Sequence, residues 1–321
     1  VDIMEEATEI CKLRLFLKLV AQIDDVNKIE PLPDIDFNIK AGNSLVGFAS
    51  FEEIKNIFDN PLGLKSDIEI LSEELAVDIS AYKSESLKSG ETDQSKKKFI
   101  NEKLETLKYA LNNYLTAVYK VSRKGVDSFI KNYQPFHWWA EFFDIINSGG
   151  FDVVIGNPPY VEYSNVKTKY KVHGFITEAA GNLYAFIMER SIAILKRNSN
   201  FGLIVPISIT AAQRMSILQE LLIQKGGTIY LSNYALRPAA LFPGVMQRLT
   251  ICISCKGHSQ KLLSTDYITW YADERSTLFN KICYHDLNNL RLPYSIPKVN
   301  NTIAFNCLNK ILQCGQYWKS Y

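Results

Sequence analysis

The segment FDVVIGNPPYVEY, residues 151–163, decides how the rest of the sequence is interpreted. Its first six residues are rich in β-branched and aromatic side chains, and such a short apolar run predicts a buried strand. Pro158 and Pro159 then fix the backbone φ angle and donate no hydrogen bond, which makes the turn after the strand stiff. An amide, Asn157, and a phenol, Tyr160, are therefore held at the end of the strand.

The half of the chain that contains this segment alternates predicted strands and helices. After FDVVIG come a helix over GNLYAFIMERSIAILKR with Asn182 as its N-cap, the strand FGLIVPISI, a helix near 211–224, and the strands TIYLSNYAL and RLTICISC. This alternation is typical of a doubly wound α/β sheet. Ligands of open α/β sheets bind at the carboxyl ends of the strands, which is where Asn157 lies.

The first half of the chain has a different character. Apolar positions from Glu5 onward predict a mostly buried helix, and DIDFNIKAGNSLVG, residues 34–47, predicts a strand followed by a loop. Residues 51–133 are rich in Glu, Lys, Ser and Leu, and they predict an antiparallel helical pair inserted between two strands, with a polar break at KSGETDQSKKK. The aromatic segment FHWWAEFFDIINSGG then returns the chain to the core.

Composition limits the class of protein. A hydrophobic share of 47% in 321 residues can fill a large core, and neither a membrane-length apolar run nor a signal peptide is evident, so we expect a cytoplasmic protein. Residues 1–152 carry 18 Lys and Arg against 26 Asp and Glu, whereas residues 153–260 carry 11 against 4. That asymmetry indicates either a basic face for a phosphate-bearing partner or simply a lysine-rich solvated surface.

The sequence offers little support for a metal site. Cys252 and Cys255 have the CxxC spacing, but no second pair at zinc spacing accompanies them, and β-alternation directs them to opposite faces of a strand. The four histidines form no evident constellation and are interpreted as surface or core residues. They are His137, His173, His258 and His285.

The turn after residue 156 suits recognition of an amino group. The side-chain oxygen of Asn157 and the carbonyl of Pro158 form an acceptor pair, and an exocyclic amino group has two hydrogens to donate. Tyr160 adds a flat face for a planar ring. Together these groups predict a pocket for an amino-bearing base or a planar amide, and the alternative is a purely structural turn.

The string NPPY after an apolar strand resembles the signature of S-adenosylmethionine-dependent amino-group methyltransferases. With VDIMEEATEICKLRLFLKLV, PLPDIDFNIKAGNSLVG, GNLYAFIMERSIAILK, FGLIVPISI and LFPGVMQRLTICI, it resembles the catalytic core of N6-adenine DNA methyltransferases, above all the fused type II G restriction-modification enzymes. The resemblance covers about residues 1–256. It implies a Rossmann-like methyltransferase sheet, truncated at its N-terminus, with Asn157, Pro158, Pro159 and Tyr160 as catalytic residues.

The resemblance also implies cofactor residues. Asp2 would hold the ribose hydroxyls of S-adenosylmethionine, although an acid at that place could equally begin a helix. Asn43, where many relatives carry an Asp, would accept a hydrogen bond from the cofactor adenine, although it could also be a turn former. The glycine-rich cofactor loop of the family is expected before Asp2, outside these 321 residues.

The expected domain organisation follows from the same resemblance. Residues 1–256 would form the methyltransferase domain with a helical insertion at 51–133, and residues 257–321 would begin a target-recognition domain. The motif order is that of enzymes whose recognition domain comes last. An endonuclease domain would lie upstream, so we expect this chain to be a piece of a larger enzyme that does not methylate DNA by itself.

The expected function is site-specific transfer of a methyl group to N6 of a flipped adenine in double-stranded DNA, in a restriction-modification or phage-defence enzyme. Two alternatives stay open at this point. A protein glutamine amide would also fit the NPPY turn, which would make the chain a glutamine N5-methyltransferase. The chain could also be a non-catalytic DNA-binding module that keeps the fold.

Overall fold

The computed structural model describes residues 1–23, 35–55, 64–89, 93–257, 259–288, 294–299 and 301–313. The chain forms two compact units: the first is Val1–Ser148 with Lys169–His173, and the second is Gly149–Thr168 with Gly174–Tyr321. Helices and a six-stranded sheet make up the described residues, which confirms the α/β class. In the described part of the chain, no helix combines the length and apolar character needed to cross a membrane.

The second unit is built around the sheet. Its strands are β1 (Phe151–Gly156), β2 (Leu195–Pro206), β3 (Thr228–Tyr234), β4 (Leu249–Cys255), β5 (Lys261–Ile268) and β6 (His285–Asp286). They are arranged in the order β1-β2-β4-β3-β5-β6. Strand β4 is antiparallel to both β2 and β3, β1 is parallel to β2, and β5 is parallel to β3. Strands β1, β2, β3 and β5 therefore all end at one edge of the sheet, which we call the carboxyl edge.

Three helices of the second unit pack on the sheet: α8 (Leu183–Ile194), α9 (Ser216–Lys225) and α10 (Thr302–Gln313). Tyr184 and Met188 of α8 are fully buried in the same apolar cluster as Phe201 and Leu203 of β2. The predicted cap of α8 is confirmed, because the side-chain oxygen of Asn182 accepts a hydrogen bond from the Tyr184 amide at 3.3 Å.

The prediction that β1 is a buried strand is wrong in one respect. The strand forms where the sequence predicts it, but the side chains of Val153 and Ile155 are 62% and 84% exposed. Strand β1 is the end strand of the described sheet and has β2 as its one neighbour. Only its other face, through Val154, packs against the core of the second unit.

The first unit is helical. Its helices are α1 (Glu5–Val20), α2 (Phe51–Lys55), α3 (Leu64–Ser89), α4 (Gln94–Val118), α5 (Val126–Tyr133), α6 (Trp138–Glu141) and α7 (Phe143–Asn147). Helices α3 and α4 are the predicted antiparallel pair, and the break between them lies inside KSGETDQSKKK. Lys103 of α4 forms an ion pair with Asp78 of α3 at 2.7 Å, while Leu75, Leu107 and Leu111 are buried.

Two expectations for the first unit are corrected. Helix α1 begins at Glu5 as predicted, yet Ile10, Leu13 and Leu17 are each more than half exposed. Leucines alternate with Lys and Arg around the helix and give it no single apolar face. Residues 35–47 form turns rather than the predicted strand, and residue 34 lies outside the described residues. This stretch is fixed by single bridges, Asp2 with Ala41 and Asn43 with Pro135.

The described residues beyond 256 include a strand of the sheet and several residues of its core. Strand β5 adds to the sheet beside β3, and Leu287, Ile296 and Val299 lie in the main apolar cluster of the second unit. The described part of 257–321 therefore belongs to the same compact unit as β1 to β4. The boundary of a recognition domain at residue 257 stays a prediction.

His137 is a fully buried, neutral residue of the first unit. Its Nδ1 accepts a hydrogen bond from the Phe48 amide at 3.3 Å, and its Nε2 lies 3.1 Å from Oδ1 of Asn112, which fixes the tautomer with the proton on Nε2. Burial, and then the charge of Lys108, lower the pKa of the ring to about 3. The prediction that His137 is a satisfied core residue fits these contacts.

This arrangement predicts acid sensitivity. Between its folded pKa of about 3 and its ordinary value of 6.5, the ring binds a proton only in the unfolded state, so stability falls as the pH falls below 6.5. We expect a loss of about 2 kcal/mol of unfolding free energy between pH 7 and pH 5, measured by urea titration. His137→Gln should flatten this dependence, whereas the exposed control His173→Gln should keep it. An unchanged pH dependence in His137→Gln would contradict the prediction.

Candidate active site

The NPPY turn extends from the end of β1 at the carboxyl edge. Asn157 is exposed, Pro158 is buried, and Tyr160 is half-buried. The register pairs Gly156 with Leu203 of β2, so Asn157 begins its turn beside Ile204. The two prolines contribute no donors, and the amide of Asn157 is therefore the polar group that the turn presents to solvent.

Tyr160 turns back toward this amide. Its hydroxyl oxygen lies 2.6 Å from Oδ1 of Asn157 and 3.0 Å from the main-chain oxygen of Ile204. Burial raises the pKa of the phenol, so the hydroxyl keeps its proton as a donor. The carbonyl of Ile204 could not be predicted as a partner of the Tyr160 hydroxyl, because Ile204 lies on another strand.

The ring of Tyr160 packs against a second apolar cluster. The buried members of this cluster include Tyr234 and Trp270, and Phe242 packs on its side. Next to it, the loop 236–246 and Trp270 line an open cavity of about 490 Å³. Phe242 and Trp270 were not predicted as site residues from the sequence. The signal for Phe242 was an aromatic residue followed by Pro and Gly between two predicted strands.

The chain after the turn is fixed by an ion pair. Arg214 donates to both carboxylate oxygens of Glu162 at 2.6 and 2.7 Å, and Asn182 donates to the same carboxylate at 3.1 Å. The hydrogen bonds from Arg214 lower the pKa of Glu162, and those to Glu162 raise the pKa of Arg214. These contacts connect the segment after Tyr160 to the N-terminus of α8 and to the residues before α9.

The two predicted cofactor residues, Asp2 and Asn43, both belong to the first unit. Asp2 pairs with Ala41 in a parallel bridge, and the main-chain oxygen of Asp2 accepts a hydrogen bond from Gly42 at 2.8 Å. The carboxylate of Asp2 is exposed and accepts a hydrogen bond from the Met4 amide at 2.9 Å, just before α1. The Asp2 carboxylate thus closes a local turn before α1 without capping the helix, and its second oxygen is exposed to solvent.

Asn43 is buried, and its amide is only partly satisfied. Its Oδ1 accepts a hydrogen bond from the Leu45 amide at 3.2 Å, whereas its Nδ2 has no hydrogen-bond partner. Gly42 beside it has a φ of +149°, and a Cβ at this position would lie 2.9 Å from the Phe136 ring. An orphaned buried donor is expensive, and a ligand with an exposed ring nitrogen would satisfy it.

No metal-binding cluster occurs in the described part of the chain, where no three His, Cys, Asp or Glu side chains converge. Cys252 is fully buried, burial raises the pKa of its thiol to about 12, and such a thiol is neither a nucleophile nor a ready metal ligand. His258 lies outside the described residues.

Of the predicted site residues, the structure brings together Asn157, Pro158, Pro159 and Tyr160 in the second unit. In the first unit, Asp2 is hydrogen-bonded to the segment just before Asn43: it pairs with Ala41 in a bridge, and its main-chain oxygen accepts from Gly42.

The sequence of this chain is similar to part of a known protein. A protein described as a type II restriction enzyme and methyltransferase of Methanocaldococcus jannaschii is 29% identical to this chain in an alignment that covers 92% of this chain and 28% of the relative. The chain thus spans about 28% of the length of that relative.

Parts of the fold are also similar to solved structures of restriction-modification enzymes. A nuclease-deletion mutant of the Type ISP restriction-modification enzyme LlaGI, in complex with a DNA substrate mimic, is 13% identical, with a TM-score of 0.40 over 92% of this chain and 34% of that one. A type I restriction-modification methyltransferase subunit from Streptococcus thermophilus is 17% identical, with a TM-score of 0.30 over 55% of this chain and 40% of that one.

The family match covers most of the sequence. Residues 1–235 match the model of the family described as the Eco57I restriction-modification methylase, and this range includes the NPPY turn as well as Asp2 and Asn43. The chain therefore belongs to the Eco57I restriction-modification methylase family.

Proposed function

We propose that this chain is the catalytic part of a DNA methyltransferase that transfers a methyl group from S-adenosylmethionine to N6 of adenine in double-stranded DNA. The observation that supports this most directly is the hydrogen-bonded set of Asn157, Tyr160 and the Ile204 carbonyl at the carboxyl edge of the sheet. The family supports the methyl transfer itself. The choice of adenine rests on the resemblance of the sequence to N6-adenine methyltransferases, and the polar atoms of the turn suit an exocyclic amino group of this kind.

The hydroxyl of Tyr160 has one hydrogen and two oxygen neighbours, so it can donate to only one of them. When the hydroxyl hydrogen goes to the Ile204 carbonyl rather than to Oδ1 of Asn157, the hydroxyl oxygen is left to accept a hydrogen bond. The amide of Asn157 can then turn by 180° about its last bond, so that Nδ2 donates to the hydroxyl oxygen. In this arrangement Oδ1 of Asn157 faces outward as a free acceptor.

An outward Oδ1 and the Pro158 carbonyl would accept the two hydrogens of an exocyclic amino group. Both acceptors stand on a rigid turn, so little reorganisation accompanies binding of the base. They draw the amino hydrogens toward themselves and leave electron density on the nitrogen. Since that nitrogen is not accessible inside a duplex, the adenine would be flipped out and stacked on Tyr160.

S-adenosylmethionine would supply an activated methyl group: the adenine N6 would bond to the methyl carbon as the carbon–sulfur bond breaks, S-adenosylhomocysteine would leave, and one amino proton would pass to solvent. The residues of the first unit fit its adenosine part. The free carboxylate oxygen of Asp2 would accept from a ribose hydroxyl, and the unpartnered Nδ2 of Asn43 would donate to a ring nitrogen of the adenine. This donor role adds to the acceptor role implied by the family resemblance, because Oδ1 of Asn43 accepts one hydrogen bond from Leu45 and has a second lone pair.

We further propose that residues 1–256 form the methyltransferase domain and that 257–321 begin the recognition domain of a larger restriction-modification enzyme. Whether that enzyme also carries an endonuclease depends on sequence beyond these residues. A type II restriction enzyme and methyltransferase is the relative that suggests it.

The full-length enzyme should be incubated with S-adenosylmethionine labelled in its methyl group and with unmethylated genomic DNA. Digestion to nucleosides and mass spectrometry should then find the label in N6-methyladenine. Label in N4-methylcytosine would support transfer to an exocyclic amino group and contradict the choice of adenine. Label only in protein, as N5-methylglutamine, would replace the proposal by its rival, and a protein that binds DNA without any transfer would be a binding module.

Asn43→Asp tests the cofactor side. The change replaces the donor Nδ2 by an acceptor, so we expect S-adenosylmethionine to bind the full-length variant about tenfold more weakly, measured by calorimetry. Thermal unfolding without cofactor identifies any loss that comes from a buried carboxylate. Tighter binding in Asn43→Asp would contradict the donor role and support the acceptor role instead.

A further inference from the structure

A group of cations lies at the carboxyl edge, away from the NPPY turn. The guanidinium of Arg248 lies 5.6 Å from the ring centre of Tyr267, and Nζ of Lys298 lies 5.3 Å from the same ring centre. Tyr267 is 44% exposed, so the ring is open to solvent as well as to the two cations. We call Arg248, Tyr267 and Lys298 the cation cluster.

The cluster has no negative partner of its own. Among the ion pairs of the described residues, none includes Arg248 or Lys298. Burial lowers the pKa of Lys298, and no carboxylate counteracts that shift. Two cations held against one half-exposed ring, with no carboxylate of the described residues paired to either, place two positive charges where one anion could contact both. The arrangement therefore favours a negatively charged ligand.

The position of the cluster follows from the sheet register. Pro206, Leu249, Tyr234 and Ile268 lie in one row across strands β2, β4, β3 and β5. Arg248 precedes this row on β4, and its main-chain oxygen accepts from the Ile207 amide at 3.0 Å. Tyr267 lies one residue before this row on β5 and three strands from Ile204 on β2, so a spacing of about 4.8 Å per strand gives a separation of roughly 14 Å.

That separation corresponds to a few nucleotides along one strand of DNA. Base pairs in B-form DNA rise about 3.4 Å each, so roughly 14 Å corresponds to about four base pairs. Arginine and lysine side chains are the usual partners of backbone phosphates, and such contacts orient a protein on a duplex without reading its sequence. A strand whose target base enters the NPPY turn would bring a phosphate a few nucleotides away to the edge occupied by Arg248 and Lys298.

We propose that the cation cluster is a phosphate-binding site for the DNA backbone, where Arg248 and Lys298 clamp one or two phosphates a few nucleotides from the flipped base. This inference rests on the proposed function for the position of the target base, and on the geometry of the cluster for the phosphate. Tyr267 acts as a rigid platform that keeps the two cations in place.

The experiment is a salt titration of DNA binding by the full-length enzyme. The double variant Arg248→Gln/Lys298→Gln removes two phosphate partners. We expect the slope of log Kd against log salt to fall by about 1.8, and Kd at 0.1 M salt to rise roughly 10- to 60-fold. The value of kcat at saturating DNA should stay within about twofold, because the variant leaves the NPPY turn intact.

The matched control is Lys225→Gln/Lys261→Gln, which removes the same charge at the other end of the sheet. Lys225 ends α9 and Lys261 begins β5, and both are exposed. The control should keep the wild-type slope, and Tyr267→Leu should lower the slope less than the double variant does. Equal slopes in wild type and the Arg248/Lys298 variant would overturn the proposal, as would an equal loss in the control.

The same experiment separates this proposal from the proposed function. If wild type methylates adenine and the salt slope does not depend on Arg248 and Lys298, the phosphate site is overturned while the function stands. If wild type transfers no methyl group to DNA but the slope falls in the double variant, the phosphate site is supported and the enzymatic proposal fails.

Discussion

Asn157→Ala is expected to lower kcat of the full-length enzyme by a factor on the order of 10² to 10³. A preorganised polar group that meets the reacting atoms has typically this effect when it is removed. Asn157 is exposed at the tip of a turn and packs against little, so the free energy of unfolding should change by less than about 1 kcal/mol. Radiolabelled methyl transfer under single-turnover conditions and thermal unfolding measure the two effects.

Asn280→Ala provides the matched control. Asn280 is an exposed asparagine of the second unit, in the 3-10 helix Ala272–Lys281, and it lies outside the carboxyl-edge turn. The control should keep wild-type kcat and stability. If Asn157→Ala instead lowered the melting temperature strongly and kept its activity per folded molecule, Asn157 would be a structural cap of β1.

The sequence was sufficient for most elements of the second unit. Strands β1 to β4, helix α8 and its Asn182 cap all follow from short apolar runs and from residues that end or begin helices. Each of these signals is local, because it depends on side chains within a few residues of one another. Burial is not local. The apolar runs in β1 and α1 therefore predicted buried faces that the structure exposes, because burial depends on which elements pack against them.

The same distinction holds for the candidate site. The stiffness of the turn could be predicted from two prolines, and the turn was correctly placed at a strand end. The partner of the Tyr160 hydroxyl could not be predicted from the sequence, because Ile204 lies 44 residues further on and contributes its main chain rather than a side chain. The contacts of Asn43 and of the cation cluster could not be predicted for the same reason. Pro135 pairs with Asn43, and Lys298 lies over Tyr267, only because the folded chain brings them together.

The hydroxyl contacts change what is expected of Tyr160. A ring that served only for stacking would let Tyr160→Phe keep most of the activity. In the structure the hydroxyl lies between Asn157 and the Ile204 carbonyl, so its loss frees the amide of Asn157 to rotate and leaves the carbonyl without its donor. The residue therefore has two separable roles, as a stacking surface for the base and as a positioning group for Asn157.

Tyr160→Phe is accordingly expected to lower kcat about tenfold or more while base flipping is kept, and Tyr160→Ala is expected to lose both. The stacking part amounts to roughly 1 to 3 kcal/mol of base binding. Fluorescence of 2-aminopurine at the target position measures flipping, and single-turnover transfer measures kcat. Tyr109→Phe, an exposed tyrosine of α4, is the control and should match wild type.

The two measurements decide between the roles because each variant removes a different part of the side chain. Wild-type kcat in Tyr160→Phe would mean that the hydroxyl does not position Asn157, and the ring alone would account for Tyr160. Wild-type flipping in Tyr160→Ala would mean the reverse, that the base does not stack on this ring. A fall in kcat in Tyr160→Phe at unchanged fluorescence places the hydroxyl in the transfer step, because the base is already in the pocket and only the orientation of its amino group has changed.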